Sequence, residues 1–288
     1  MTHTSQPSTP RSDYAAGTLL VIISAITFST AGLFTKGVEA GAWEVIFWRG
    51  LSAAAFTCFW IALRGAARRE FGTLGPSGCA VGVIGALGTA AFIPSFKLTS
   101  IANVSLIYAI SPLIAAMLAW IFIGERAQAR TIAGCLGALL GVAIIVSGSL
   151  GELSLYGDLL ALWMTFAMAS IMVIYRKYPQ TPGAGPQVLQ SLLLLPCAGL
   201  IGAPLAVAPA EIGILIAFGL LFAIASVTLA EGAKRIASGQ TALLSSLETP
   251  LAPLLAFFVL AEIPDGATWA GGALVLVAVL VSINTRPA

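Results

Sequence analysis

The chain has 288 residues, of which 58% are hydrophobic and only 9% charged, with a net charge of +2. A soluble domain carries roughly 25% charged residues, so this surface is too poor in charge to face water throughout. A mean hydropathy of +0.98 points to lipid as the main solvent. Fourteen basic residues scattered along the chain make no phosphate-tracking groove, so no nucleic-acid partner is expected. The single histidine, His3, lies in a polar segment, which excludes His-based triads and most zinc sites. No metal, cofactor or enzymatic activity is expected.

Residues 1–13, "MTHTSQPSTPRSD", have the composition of a disordered tail. A bilayer core about 30 Å thick needs about 20 helical residues. Ten apolar runs meet that length: 14–35, 43–63, 75–96, 101–123, 129–147, 154–175, 186–206, 209–230, 239–261 and 266–283. They are numbered as spans one to ten. Helices are expected because lipid offers no partner to an open backbone group, and the runs are too continuous for barrel strands. The first run lacks a small-residue cleavage site after it and reads as a retained helix.

With ten spans both ends lie on one side. Eleven of the fourteen basic residues fall on that side, Lys36 and Lys97 on the other, and Arg49 inside span two. The bias places both termini in the cytoplasm of an inner membrane. Cys58, Cys79, Cys135 and Cys197 each sit within an apolar run without metal-ligand spacing, and read as small buried residues.

Span four, "SLIYAISPLIAAMLAWIFIGER", returns in altered form as span nine, "SSLETPLAPLLAFFVLAE". Glu125 and Glu262 are 137 residues apart, as are "TIAG" from Thr131 and "TWAG" from Thr268. Such self-similarity marks a repeat. The expected fold is an all-α polytopic membrane protein of ten transmembrane helices in two inverted five-helix repeats, 14–147 and 154–283. Residues 148–153 link them, and residues 284–288 form a second tail. Five is odd, so the second half enters from the opposite side. Inverted halves can exchange conformations that open to opposite faces.

The stretch from Gly88 to Gly141, including "FKLTSIANVSLIYAISPLIAAMLAWIFIGE" and "TIAGCLGALLGVAIIV", resembles the signature of EamA-type transporters of the drug/metabolite transporter superfamily. The second half resembles it again in "AKRIASGQTALLSSLETPLAPLLAFFVLAE" and "TWAGGALVLVAVLV", departing from the pattern at "ETP", Glu248 to Pro250. The resemblance implies a ten-helix secondary carrier exporting small metabolites, with bacterial aromatic amino acid exporters close in architecture. It implies a small-molecule solute, membrane lipids and proton or counter-solute coupling as partners. Export of hydrophobic cationic drugs is the alternative, and a scaffold or receptor a third reading.

Several residues within spans are singled out as candidates to bind solute or line its cavity. Pro112 and Pro250 interrupt spans four and nine, where a proline removes an amide donor and frees the carbonyl four residues back. Those carbonyls belong to Tyr108 and Ser246; Ser111 and Ser245 are nearby hydroxyls. Glu248 is the one acid well inside a span, where a charge needs a partner or a function: a solute ammonium, a proton, or Arg49. Arg49 suits a solute carboxylate or snorkels to the outer headgroups. Phe92 and Trp163 join Tyr108 as candidates for stacking against a solute. Tyr175 and Tyr178, and Trp43 and Trp48, read as interfacial belts. Gly78, Gly82, Gly85, Gly137 and Gly141 allow close helix approach. "GALGTAAF" lacks the lysine and the context of a nucleotide loop, so the driving force is expected to be a gradient.

Overall fold

A computed structural model of the protein describes residues 10–31, 34, 38–98, 101–147, 154–260 and 266–283. Among them every regular element is helical. The helices are α1 (Pro10–Ser29), α2 (Ala42–Leu63), α3 (Ala67–Gly72), α4 (Gly75–Leu98), α5 (Ile101–Tyr108), α6 (Ser111–Ile123) and α7 (Ala129–Val146). There follow α8 (Leu155–Lys177), α9 (Gly185–Ile201), a 3-10 turn at Pro204–Ala206, α10 (Pro209–Ala233), α11 (Ser238–Ser245), α12 (Glu248–Leu260) and α13 (Gly266–Ile283). Ala42–Leu63, Gly75–Ser95, Leu106–Ile123, Leu155–Lys177 and Pro209–Ala233 are long and apolar enough to cross a membrane, and four shorter apolar helices accompany them. Large side chains such as Leu63, Leu155, Leu200, Leu205 and Phe258 stand exposed on the periphery. This is the surface of a polytopic membrane protein, apolar where lipid replaces water.

The helices follow the expected spans closely, with four informative departures. Helix α1 starts at Pro10, inside the expected polar tail, because a first helical turn tolerates proline and favours the acid Asp13. Helix α3 occupies what the sequence reads as a basic loop after span two. Span four is broken into α5 and α6 around residues 109–110, and span nine into α11 and α12 around residues 246–247. The breaks are separated by the 137 residues that separate Glu125 from Glu262. Finally, Pro94 and Pro196 sit inside α4 and α9 without ending them. The linker 148–153, residues 284–288, Lys36 and Glu262 lie outside the described residues.

The packing obeys an exchange rule in which each span behaves like the span five places away. Helix α8 lies along α4 as α1 lies along α10; α9 lies on α4 as α2 lies on α10. Helices α2 and α9 pair with each other, and so do α7 and α13. The broken spans meet where α6 packs on α11, while α6 also rests on α8 and α12 on α1. The largest buried cluster, including Val21, Ala115, Met172, Leu243 and Val275, fills the centre of this arrangement.

Close crossings need small residues, since lipid supplies no hydrophobic drive between helices. A Cβ on Gly271 would meet the Gly141 carbonyl, and one on Gly141 would come within 2.7 Å of the Gly271 carbonyl. Gly82 and Gly85 face Leu189 and Gln190 of α9 in the same way. Gly78 serves differently, facing only Leu74 of the turn before it. Of the cysteines, only Cys135 is buried; Cys58, Cys79 and Cys197 are exposed, because they fall on outward faces of their helices. Tyr175 is also not interfacial: it is buried in a cluster with Val81 and Ala230, leaving Tyr178 exposed at the helix end.

Candidate functional site

The interruption of span nine starts a new helix at Glu248, so this acid occupies a first helical turn, where the amide dipoles favour negative charge. The Tyr108 hydroxyl faces the Glu248 carboxylate and interacts with it. Tyr108 ends α5, the first segment of span four. The two broken spans are therefore joined by a polar contact at their breaks, and both residues keep part of their surface accessible. Glu248 is not the ion-pair partner of Arg49 that the sequence allowed; Tyr108 occupies its carboxylate.

The backbone around the breaks is better satisfied than proline alone suggests. The Ser246 carbonyl, expected to be free, accepts the Thr249 amide at 3.1 Å in a tighter turn. Ser245 and Ser246 donate their hydroxyls to the Thr241 and Ala242 carbonyls one turn back, at 3.0 and 3.2 Å. Ser111, counterpart of Glu248 at the offset of 137, is 2% exposed and its hydroxyl has no partner. Pro112 and Pro250 lie just after their breaks, in the first turns of α6 and α12, where a missing amide costs little.

Arg49 of α2 is 3% exposed, so it does not snorkel to the headgroups. Its guanidinium lies 4.1 Å from the centre of the Phe222 ring and 5.4 Å from that of Phe218. Both rings belong to α10, four residues apart on one face. Gly219 brings α10 against α2 here, since any Cβ would strike Ser52 Oγ and the Arg49 carbonyl. Aromatic contacts extend from this point. Phe222 meets Phe28 edge-on at 5.9 Å, and Phe34 stacks on Phe218 at 5.6 Å. Phe92 packs both with the cluster holding Phe218 and with the one around Met164 that Tyr108 joins. A chain of packed side chains thus runs from the Phe218 cluster through Phe92 to the cluster that Tyr108 joins. Trp163 is not part of it: it is 46% exposed and stacks on Phe166 at 6.2 Å on the outer face of α8.

Phe218 and Phe222 escaped the sequence reading, although their i, i+4 spacing was a usable signal. So did the bond from Gln190 Nε2 to Thr89 Oγ1, 2.9 Å, joining α9 to α4.

The face carrying most basic residues is closed by carboxylates. Gly124 caps α6 in the left-handed conformation, φ 74°, a backbone that glycine adopts without strain. The turn delivers Glu125 to two partners: Arg176 Nε donates to it at 2.9 Å and the Ser238 amide at 3.0 Å. Spans four, six and nine are tied at one point. Nearby, Glu70 of α3 accepts the Ala184 and Gly185 amides at 3.0 and 3.1 Å, capping α9. A cavity of about 470 Å³ opens on this face between Asp13, Arg69, Glu70, Thr181 and Glu231. Neither Tyr108 nor Glu248 is among its lining residues. On the opposite face Glu44 accepts the Ala203 amide at 2.8 Å, and Glu211 those of Glu39 and Ala40 at 2.9 and 3.2 Å.

Residues 15–147 match the model of the EamA-like transporter family. A crystal structure described only as that of a protein aligns over 93% of this chain and 96% of its own, with a TM-score of 0.80 and 22% identity. It shares the fold. No curated protein matches the chain.

Proposed function

Residues 15–147 match the model of the EamA-like transporter family, and from that match we propose that the protein is a membrane transporter, a gradient-driven exporter of amino acids with aromatic or large neutral side chains. It sits in an inner membrane with both termini in the cytoplasm and works by alternating access between inverted halves. The observation that carries this reading is the junction of the two broken spans through Tyr108 and Glu248. Interrupted helices near the midplane are where carriers place solute, because their freed dipoles and partial charges can be shared with it.

The exchange rule in the packing supports the inverted halves. If the halves rock against one another, the α6–α11 contact is the pivot and the carboxylate contacts at the two faces are the gates. The contacts of Glu125 with Arg176 and Ser238 support a gate at the end assigned to the cytoplasm. Glu248, beside the Tyr108 ring, suits the ammonium group of a solute. Phe28, Phe92 and Tyr108 supply apolar area for its side chain.

Flux in proteoliposomes tests the proposal, with a panel of neutral amino acids set against lipophilic cations. Saturable flux of phenylalanine, tyrosine or leucine, competed by one another, is the expected result. A lone acid among aromatic rings also suits a hydrophobic cation. Flux of tetraphenylphosphonium without amino acid flux would establish that second reading and overturn the first.

A further inference from the structure

We propose that Arg49 is the residue that recognises the carboxylate of the solute, an assignment that rests on the amino acid reading above. The argument begins with an unbalanced charge. A guanidinium removed from water loses several kcal/mol of hydration and is normally repaid by a carboxylate or by a full set of hydrogen bonds. Arg49 is buried to 3% exposure, yet none of the ion pairs among the described residues includes it. Its Nε is enclosed and has no hydrogen-bond partner. What it does have is two phenylalanine faces, at 4.1 and 5.4 Å. Cation–π contacts hold the group in place but satisfy none of its five N–H donors.

Such a site is pre-organised for an anion. The rings fix the plane of the guanidinium, and a planar fork matches a carboxylate through two parallel hydrogen bonds. Desolvation makes each bond stronger than at a surface. The location is that of a transported ligand, not of a structural ion. Arg49 stands on α2 of the first half and its rings on α10 of the second, so an anion here touches both moving bodies. From Phe222 the aromatic contacts run through Phe28, which packs on the central cluster together with Leu106 and Leu247. Leu106 and Leu247 neighbour Tyr108 and Glu248 in sequence. Along this run of packed side chains a cation, Arg49, stands at one end and a carboxylate, Glu248, at the other, with rings between. A zwitterion with an apolar side chain fits that order of groups. A cationic amine lacking the carboxylate would leave Arg49 unanswered.

Phenylalanine and phenethylamine test the assignment, since they differ only by the carboxylate. Their flux is compared in proteoliposomes of the wild type, Arg49→Gln and Arg49→Lys. The expected result is a loss of at least about thirty-fold in kcat/KM for phenylalanine in Arg49→Gln, as for removal of one partner of a desolvated charge pair. Phenethylamine flux changes less than about three-fold on the same scale. Arg49→Lys, which keeps the charge without the fork, lies between, and is read alone if the glutamine variant does not fold. Equal loss for both solutes, or wild-type phenylalanine flux in the variants, overturns the proposal and leaves Arg49 as a brace between α2 and α10. A second readout does not depend on flux: benzoate raises the Tm of the wild type and not that of Arg49→Gln. If the wild type carries no amino acid but benzoate still stabilises it through Arg49, the amino acid reading falls and the anion site stands. If benzoate stabilises both forms equally, or neither, the anion site falls.

Discussion

On the proposed alternating-access reading, replacing Glu125 by Gln should open the end assigned to the cytoplasm, and the size of the effect follows from its two contacts. The carboxylate takes Arg176 Nε at 2.9 Å and the Ser238 amide at 3.0 Å. The ion pair is partly exposed, 34% on Arg176 and 21% on Glu125, so after screening it is worth ~0.5–1 kcal/mol. The second bond joins a charged acceptor to the amide that opens α11, worth ~1 kcal/mol with its dipole contribution. Glutamine retains shape and one acceptor but loses the charge, so about 1.4 kcal/mol of closure is removed, close to a tenfold shift between states. The assay uses Thr241→Cys, a buried position on α11 just beyond Ser238, in a background without Cys58, Cys79, Cys135 and Cys197. An impermeant maleimide applied from the cytoplasmic side should label this cysteine about tenfold faster when Glu125 is Gln. The same labelling rate in both forms, with unchanged Tm, would refute the view that Glu125 holds this end closed.

Three other outcomes are expected. Gly271→Ala drives a methyl group into the Gly141 carbonyl and should cost ~1–3 kcal/mol; thermal unfolding in detergent reads it, and an unchanged Tm would mean the α7–α13 crossing is not close-packed. Pro112→Ala and Pro250→Ala should leave folding intact but slow transport by the equivalent of ~1–3 kcal/mol of altered state balance; wild-type flux and accessibility in both would leave these prolines as inherited shape. Ser111→Ala removes a buried hydroxyl that has no partner, so stability should hold or rise by up to ~1 kcal/mol. A raised KM for solute in that variant, at unchanged Tm, would place Ser111 among the solute contacts.

The run of helices was legible because membrane thickness and backbone chemistry leave few options: about twenty apolar residues must be a helix. The prolines of spans four and nine announced an interruption, but not its form. The chain breaks two or three residues before each proline and re-forms a tight turn, so the Ser246 carbonyl is taken by Thr249. Hydrogen-bond need, which proline statistics do not encode, decided the detail. Glu248 was visible as a misplaced charge, yet its partner was not, since Tyr108 comes from the other half. Arg49 was visible for the same reason. Its aromatic cradle belongs to span eight and depends on Gly219 admitting α2. Trp163 has the right chemistry and depth for a solute contact but the wrong helix face. A helix apolar on all sides has little periodicity to say which face is inside. Contacts made between the spans, such as Glu70 of the short helix α3 capping α9, left no trace in the sequence at all.

The exchange rule in the packing also governs how such a chain must be built. Span one rests on span eight, span two on spans seven and eight, span three on spans six and seven, and span five on span ten. Nearly every extensive helix contact joins a segment of the first half of the chain to one of the second. The first half therefore enters the bilayer with its small-residue grooves and its buried Arg49 facing lipid, and its partners arrive only as the second half is threaded. Folding of this protein is thus a late, cooperative event, dominated by contacts distant in sequence. A chain truncated after residue 147 would be a set of inserted helices without a tertiary structure.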